Sequence, residues 1–238
     1  DVPFASLATL QDMQAQAQAG ASIVVLTACV ANPLGLGRII RNAKGDLQRI
    51  VEERDATLTE RAITEINSGL LLCSTEALAC LLPLLDAQNA QGEYYLTDII
   101  ALASERELPL STVTVLDPME VQGVNDREQL SSLERYYQCR LAKHLMANGV
   151  SLADPARIDI RGALTTGMDV FIDINCVFEG AVQLNDNVSI GPNCLIKNSI
   201  IEKDAVIHAN TLIDGAFIAS GATVGPFARI RPGSHVSE

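Results

Sequence analysis

Ile190-Gly191-Pro192-Asn193-Cys194-Leu195-Ile196 is followed by Ile207-His208-Ala209-Asn210-Thr211-Leu212-Ile213, then by Val224-Gly225-Pro226-Phe227-Ala228-Arg229-Ile230. Each stretch opens and closes on an aliphatic residue, six positions apart, with turn-forming residues between. Working outward, the spacing links Ile160, Ile172, Phe178, Leu184, Ile190 and Ile196, with Thr166 as the weak member. It slips by one residue to Ile201, Ile207 and Ile213, and again to Ile218, Val224, Ile230 and Val236. Four residues after each marker comes a small or apolar residue: Leu164, Val170, Cys176, Val182, Val188, Cys194, Ile200, Ala205, Thr211, Phe217, Ala222, Ala228 and Ser234. A period of six fits neither an α-helix nor an alternating hairpin. It predicts a solenoid with three flat faces per coil, the markers pointing inward and the second set lying at the corners. At about eighteen residues per coil, residues 160–238 make roughly four coils.

The first half has other periods. Ser22 to Val30 is a β-branched apolar run and reads as a buried strand. Asn32 to Gly37 reads as a turn, Arg38-Ile39-Ile40 as a strand, and Leu47 to Glu53 as a strand pairing back. Asn67-Ser68-Gly69 reads as a turn feeding a buried strand to Cys73, after which Ser74 or Thr75 caps a helix over Ala77 to Leu85. A helix over Thr97 to Ser104 and a strand over Ser111 to Leu116 complete an α/β layer on a parallel or mixed sheet. Leu130, Leu133, Tyr137, Leu141 and Leu145 form one stripe of a long helix ending at Asn148-Gly149. Asp154-Pro155 marks a boundary. The expected parts are residues 1–125, a linking helix and connector over 126–157, and the solenoid over 158–238.

A formal net charge of −12 argues against nucleic acid and anionic membrane surfaces as partners. The apolar runs are too short to span a bilayer. Cys29, Cys73, Cys80, Cys139, Cys176 and Cys194 form no CxxC pair and read as reduced, mostly buried thiols. Cys176 and Cys194 fall on the inward corner register, which favours packing over chemistry.

Several stretches, in order, carry a resemblance. They are Asp1-Val2-Pro3, Gly35 to Ile39, Ile50 to Ala56, Glu65 to Gly69, Gln91 to Asp98, Gly123 to Asp126, Asp154 to Arg157 and Gly225 to Gly233. With an α/β domain joined through a long helix to hexapeptide repeats, the chain resembles the bacterial bifunctional N-acetylglucosamine-1-phosphate uridylyltransferase / glucosamine-1-phosphate N-acetyltransferase family. The resemblance implies a Rossmann-like mixed sheet, partial in this chain, followed by a left-handed parallel β-helix. It implies synthesis of UDP-N-acetylglucosamine from UTP, sugar 1-phosphates and acetyl-CoA, by a cytoplasmic homotrimer serving peptidoglycan synthesis.

Uridylyl transfer joins two anions, so a hard divalent cation that bridges phosphate oxygens lowers the barrier. By resemblance, Asp1 and Asn125 bind Mg²⁺, and Gly37, Glu52 and Asn67 bind the sugar phosphate. Each has a plain alternative: an exposed terminal Asp, a helix N-cap at Asn125 with Glu128 three residues on, a turn glycine, a solvated strand glutamate and a turn asparagine. The chemistry fits, since Gly37 lets a ligand approach the backbone, Glu52 accepts from hydroxyls, and Asn67 both donates and accepts. The family often has an aromatic residue where Leu36 stands. Tyr94 and Tyr95 read as structural residues near the pocket. Arg231 matches an arginine that contacts the acceptor phosphate of acetyl transfer, a task suited to a guanidinium fork; its alternative is a surface arginine like Arg229. His144 and His208 read as surface residues.

The family begins with a Gly-rich nucleotide loop, and its solenoid carries the acetyltransferase base and most of the acetyl-CoA site further on. The resemblance therefore implies an internal piece of a longer enzyme, inactive alone, with an open strand edge that frays over residues 224–236. Another sugar nucleotidyltransferase, or a non-catalytic scaffold retaining the fold, remains open at this point.

Overall fold

The β-branched run predicted as a strand forms β1 (Ile23–Cys29) in the computed structural model, which describes residues 2–237. It is an interior strand of its sheet and is buried on both sides. With β2 (Arg38–Arg41), β3 (Leu47–Val51), β4 (Glu65–Cys73) and β5 (Leu110–Val115) it makes a sheet in the order β3-β2-β4-β1-β5. The sheet is mixed: β1 and β5 are parallel, the other pairs antiparallel. Ile23 and Val25 pack on one side against α3 (Thr75–Leu81) and α4 (Ile99–Glu105), through Ala77, Leu81, Ile99, Ile100 and Ala103. Val24, Leu26 and Ala28 pack on the other against Met13 of α1 (Leu7–Gln18). This unit comprises Asp1–Asn125.

Two helices here go beyond the sequence reading. α1 buries only Thr9 and Met13, so it shows no broad apolar stripe; Ser6 caps it, and Glu120 accepts from the Ser6 amide at 2.9 Å. α2 (Leu58–Arg61) is a single turn closed by a Thr57–Glu60 capping box. A third difference matters for the site. Asn67-Ser68-Gly69 is no turn before a strand but an irregularity inside β4: the register against β1 shifts between Val25↔Leu71 and Thr27↔Asn67. Gly69 takes φ 83°, which lets the extra residues be absorbed as a bulge. The strand beyond it is only half-buried.

The second unit comprises Asp126–Glu238 and opens with α5 (Arg127–Ala147). Its buried residues are Leu133, Gln138, Ala142 and Leu145, whereas Leu130 and Tyr137 of the predicted stripe are exposed. Gln138 displaces them because it does what an apolar residue could not. Its amide nitrogen donates to the Ile160 carbonyl at 2.9 Å and its oxygen accepts from the Ile160 amide at 2.8 Å, so it pairs a strand edge as another strand would.

Beyond α5 the chain is a parallel β-solenoid. One face stacks Ser151–Leu152, Phe171–Ile172, Ser189–Ile190, Val206–Ile207 and Thr223–Val224. The strands Ile158–Thr166 and Cys176–Leu184 bend round a corner and join the other two faces into one sheet of eight strands. Gly162 is required at that corner, since a Cβ there would lie 2.2 Å from the Gly180 carbonyl oxygen. The inward register reaches back past Ile160 to Ile158 and Val150, both buried.

The six-residue markers from Ile172 to Val224 are buried as expected, and so are Cys176 and Cys194. The corner register needs correction at both slips. Ile200 is 41 % exposed and Phe217 half-buried, while Ser199 and Ala216 take the inward positions at 2 % and 6 %. The inward corner residue lies two before the next marker, not four after the last, so the deleted residue comes out of the preceding turn. Ser199 is tolerated inside because its hydroxyl donates to the Lys197 carbonyl at 2.5 Å and accepts from the Ala216 amide at 3.0 Å. Stacked partners such as Asn175 and Asn193 are 18 residues apart before the first slip; Asn187 and Asp204, across it, are 17 apart.

The cysteine expectation is corrected too. Cys176 and Cys194 are buried, Cys73 and Cys139 are half-buried, and Cys29 and Cys80 are exposed; all are free. Cys29 is the last residue of β1, and Cys80 lies on α3, whose buried residues are Ala77 and Leu81. In the solenoid, the hydrogen bond with Cys194 and then burial push the Cys176 thiol up, which keeps it a neutral packing group.

Candidate functional site

In the first unit, strand register assembles the site. Arg38 opens β2 opposite Val51 of β3 and Ile66 of β4. The adjoining chain positions are Gly37, Glu52 and Asn67, so three of the sequence-predicted residues lie in a row, the first two just beyond the ends of β2 and β3 and the third within β4. The Asn67 amide donates to the Gly37 carbonyl at 2.8 Å. A Cβ on Gly37 would stand 3.2 Å from Ile50 and 3.4 Å from both Glu52 carboxylate oxygens. A Cβ there would press on Ile50 and rest in ordinary contact with the carboxylate, so Gly37 and Glu52 face each other across the row.

The row borders two cavities. Glu52 lines one of about 190 Å³ with Asp55, Asn89, Tyr95 and Asp98. The Thr97 hydroxyl donates to Glu52 Oε1 at 3.0 Å and orients the carboxylate. Burial, then the charges of Asp86, Asp55 and Glu52, push the Asp98 carboxyl up; burial, followed by carboxylates at Asp55, Glu52 and Glu93, does the same to Tyr95. Arg49 also lines this cavity but pairs with Glu60, and the carboxylates of Glu52, Asp55 and Asp98 make the lining rich in acceptors suited to hydroxyl donors.

Asn67 and Asn125 line the second cavity, of about 220 Å³, with Leu36, Ser68, Gln122 and Gly123. Among the described residues its polar side chains are amide and hydroxyl. Asn67 Oδ1 accepts from the Gly69 amide at 3.2 Å, so the bulge in β4 aims the side chain. The N-cap reading of Asn125 gives way here, because Asp126 caps α5 by accepting from the Gln129 amide at 2.7 Å.

Asp1 lies outside the described residues. Among those described, no group of three or more His, Cys, Asp or Glu side chains could hold a metal ion. The donor that Asn125 offers is a neutral oxygen. It suits a hard cation that takes most of its ligands from water and phosphate, and not zinc.

Arg231 belongs to the other unit and is exposed. It follows Ile230, which stacks on Ile213, as Asp214 follows Ile213 and Lys197 follows Ile196. Below them Lys197 stacks on Glu179 and Glu179 on Arg161, and Lys197 reaches Glu179 at 2.5 Å. Arg231 thus occupies the next rung of a column of alternating charge.

Thr97, Tyr95, Asn89 and Gln122 border the site without having been singled out as ligands from sequence. Tyr94 is 72 % exposed, while Tyr95 lines the acidic cavity. His144 and His208 are exposed, as expected. Thr97 and the tyrosines lie in the Gln91 to Asp98 stretch, and Gln122 lies beside Gly123, so proximity to those motifs was the available signal.

An α/β unit on a mixed sheet, followed by a hexapeptide solenoid, is the two-part organisation expected of the bifunctional sugar-phosphate transferases. No protein-family model matches the chain. It is 50 % identical over 237 residues to bifunctional protein GlmU of Marinobacter nauticus, covering 100 % of this chain and 52 % of that protein. It is 50 % identical over 234 residues to bifunctional protein GlmU of Pseudomonas putida (98 % and 51 %). To bifunctional protein GlmU of Paraburkholderia phytofirmans it is 47 % identical over 238 residues (100 % and 52 %). The similarity to bifunctional GlmU proteins therefore runs the length of this chain, and the chain spans about half the length of the curated relatives it matches.

Proposed function

We propose that this chain is part of a bifunctional enzyme that makes UDP-N-acetylglucosamine. The α/β unit, over residues 1–125, serves Mg²⁺-dependent uridylyl transfer from UTP to N-acetylglucosamine 1-phosphate. The helix and connector over 126–157 lead to the solenoid over 158–238, which serves acetyl transfer from acetyl-CoA to glucosamine 1-phosphate. The observation that carries this reading is the row Glu52–Gly37–Asn67 between an acidic cavity and an amide-lined one.

The sugar ring lies over Gly37, which has no side chain of its own to hold it away. Glu52, oriented by Thr97, accepts from ring hydroxyls, and Asn67 meets the polar groups on the other side. The phosphate lies toward the cavity that Asn125 lines. Held there, a phosphate oxygen attacks the α-phosphorus of UTP and pyrophosphate leaves; alignment of two anions is the protein's main contribution. Mg²⁺, when bound at Asn125 and Asp1, offsets the charge on the phosphates. Arg231 binds the phosphate of the acetyl acceptor. The assembly is a homotrimer, cytoplasmic, supplying peptidoglycan synthesis, and residues 1–238 alone do not transfer uridylyl groups.

The test is to express the complete coding sequence and assay UTP- and Mg²⁺-dependent pyrophosphate release with N-acetylglucosamine 1-phosphate. Release that needs this sugar phosphate, and that Asn67→Ala abolishes, is expected. Absence of release, or equal release with glucose 1-phosphate, would favour the scaffold or the other-sugar alternative.

A further inference from the structure

Beneath the row lies a feature that ligand contact does not explain. Arg38 is the sole charged side chain among the described residues in the buried class, at 1 % exposed. Its Nη1 donates to the Leu36 carbonyl, and its Nη2 donates to Glu53 Oε2 at 2.6 Å and to the Arg61 carbonyl at 3.4 Å. The same Glu53 oxygen accepts from the Gly35 amide at 3.2 Å. The Arg61 Nε donates to the Glu53 carbonyl at 3.2 Å and holds the strand end from the other side. Arg38 follows Gly37 at the start of β2, and Glu53 lies in the turn that leaves β3 directly after Glu52, so the ion pair adjoins the row through its chain neighbours.

The pair is half-buried, Arg38 being enclosed and Glu53 22 % exposed, and a pair of that kind adds little to the stability of a fold by itself. What a guanidinium fork and a carboxylate supply is fixed geometry. Here the geometry is that of the Gly35–Gly37 turn: the pair holds the amide of its first residue and the carbonyl of its second.

We propose that Arg38 and Glu53 are positioning residues for the sugar-phosphate site, holding Gly37 against the Glu52 carboxylate at the distance the sugar needs. The inference rests on the reading of Gly37, Glu52 and Asn67 as the sugar pocket. Neither residue touches substrate. Each acts through the turn, and Glu53 also through its chain neighbour Glu52. The Glu53 carboxylate is held below the usual range by its bond from Arg38, so it stays charged at neutral pH.

The experiment uses the complete protein with Arg38→Lys, Glu53→Gln, and the double variant Arg38→Met/Glu53→Leu. A loosened turn raises KM for N-acetylglucosamine 1-phosphate about tenfold or more, while KM for UTP stays within about twofold. The double variant melts at or above the wild-type temperature and keeps the raised sugar-phosphate KM. Equal rises in both KM values, or no rise in a folded variant, would overturn the proposal. Should Arg38→Lys fail to fold, Glu53→Gln and the double variant decide. Amide exchange separates this idea from the activity reading. In Glu53→Gln the Gly35 and Asn67 amides exchange at least about tenfold faster than in wild type, with the rest of the sheet unchanged. If wild type transfers no uridylyl group, the function falls, and the exchange of those two amides alone decides whether the clamp exists; unchanged exchange would end it.

Discussion

The α/β unit and the solenoid place polar side chains by different rules. In the solenoid a position recurs every coil, so Arg161, Glu179, Lys197 and Asp214 meet one another and a charge there is answered by its stacked neighbour. In the α/β unit, Gly37, Glu52 and Asn67 come from separate strands and share no repeat. Their grouping follows from register and from one bulge in β4. Repetition explains a residue by its neighbours; a non-repeating row at a cavity has no such explanation and points to a ligand. Arg231 sits where the two arguments meet, being a rung in the column and also the residue proposed to bind the acceptor phosphate.

That contrast yields predictions of decreasing size. The largest is functional separation. Asn67→Ala in the complete protein should lower kcat/KM for uridylyl transfer on the order of a thousandfold, since it leaves polar groups of the substrate unpaired. Acetyl transfer by the same preparation should be unchanged, and a parallel loss of both activities would break the division between the units. Next comes Gln138→Leu, which strands the amide and carbonyl of Ile160 in a buried setting. Denaturant unfolding should show a loss of about 2–3 kcal/mol, confined to the unit that begins at Asp126.

The column of charge predicts an acid effect. The Lys197 hydrogen bond, with Arg161 nearby, holds the Glu179 carboxyl below its usual value. Asp159 is also low, because the bonds from Arg135 and Arg161 outweigh the opposing effect of its burial. Both folded pKa values lie below the unfolded ones. The stability they contribute is thus complete above the ordinary carboxylate range, near pH 4, and is lost as pH falls through the folded values. Thermal melts between pH 7 and pH 3 should show this slope, flattened in Glu179→Gln and reduced by salt. The smallest effect concerns the slip. Ser199→Ala should cost about 1 kcal/mol, and Ile200→Thr less than about 0.5 kcal/mol. The reverse order would restore Ile200 as the inward residue.

How much the sequence told depends on the same difference. A period is visible in one dimension, so the solenoid could be read from Ile172 to Val224, and it failed only where the period itself slipped, at Ile200 and Phe217. Those failures have a local cause: the turn loses a residue, and spacing counted forward from a marker crosses that turn. In the α/β unit the strand at Ile23–Cys29 was plain from its β-branched run. The helix Leu7–Gln18 was not, because it buries so few side chains. Gly37, Glu52, Asn67 and Asn125 were reached through motif resemblance, and no spacing in the chain reveals that the first three lie in a row. Thr97 and Tyr95 were passed over as ligand-side residues for the same reason: their role depends on which strand end they face. The buried Arg38 gave no sign in the sequence, where it reads as an ordinary charged residue at the start of a strand.

The central claim is that a sugar phosphate binds over Gly37. Crystals of the complete protein grown with N-acetylglucosamine 1-phosphate test it most directly. The account predicts electron density for the ring over Gly37, within hydrogen-bond reach of Glu52 and Asn67, with the phosphate toward Asn125. A fully occupied sugar bound elsewhere, with those residues bare, would contradict it.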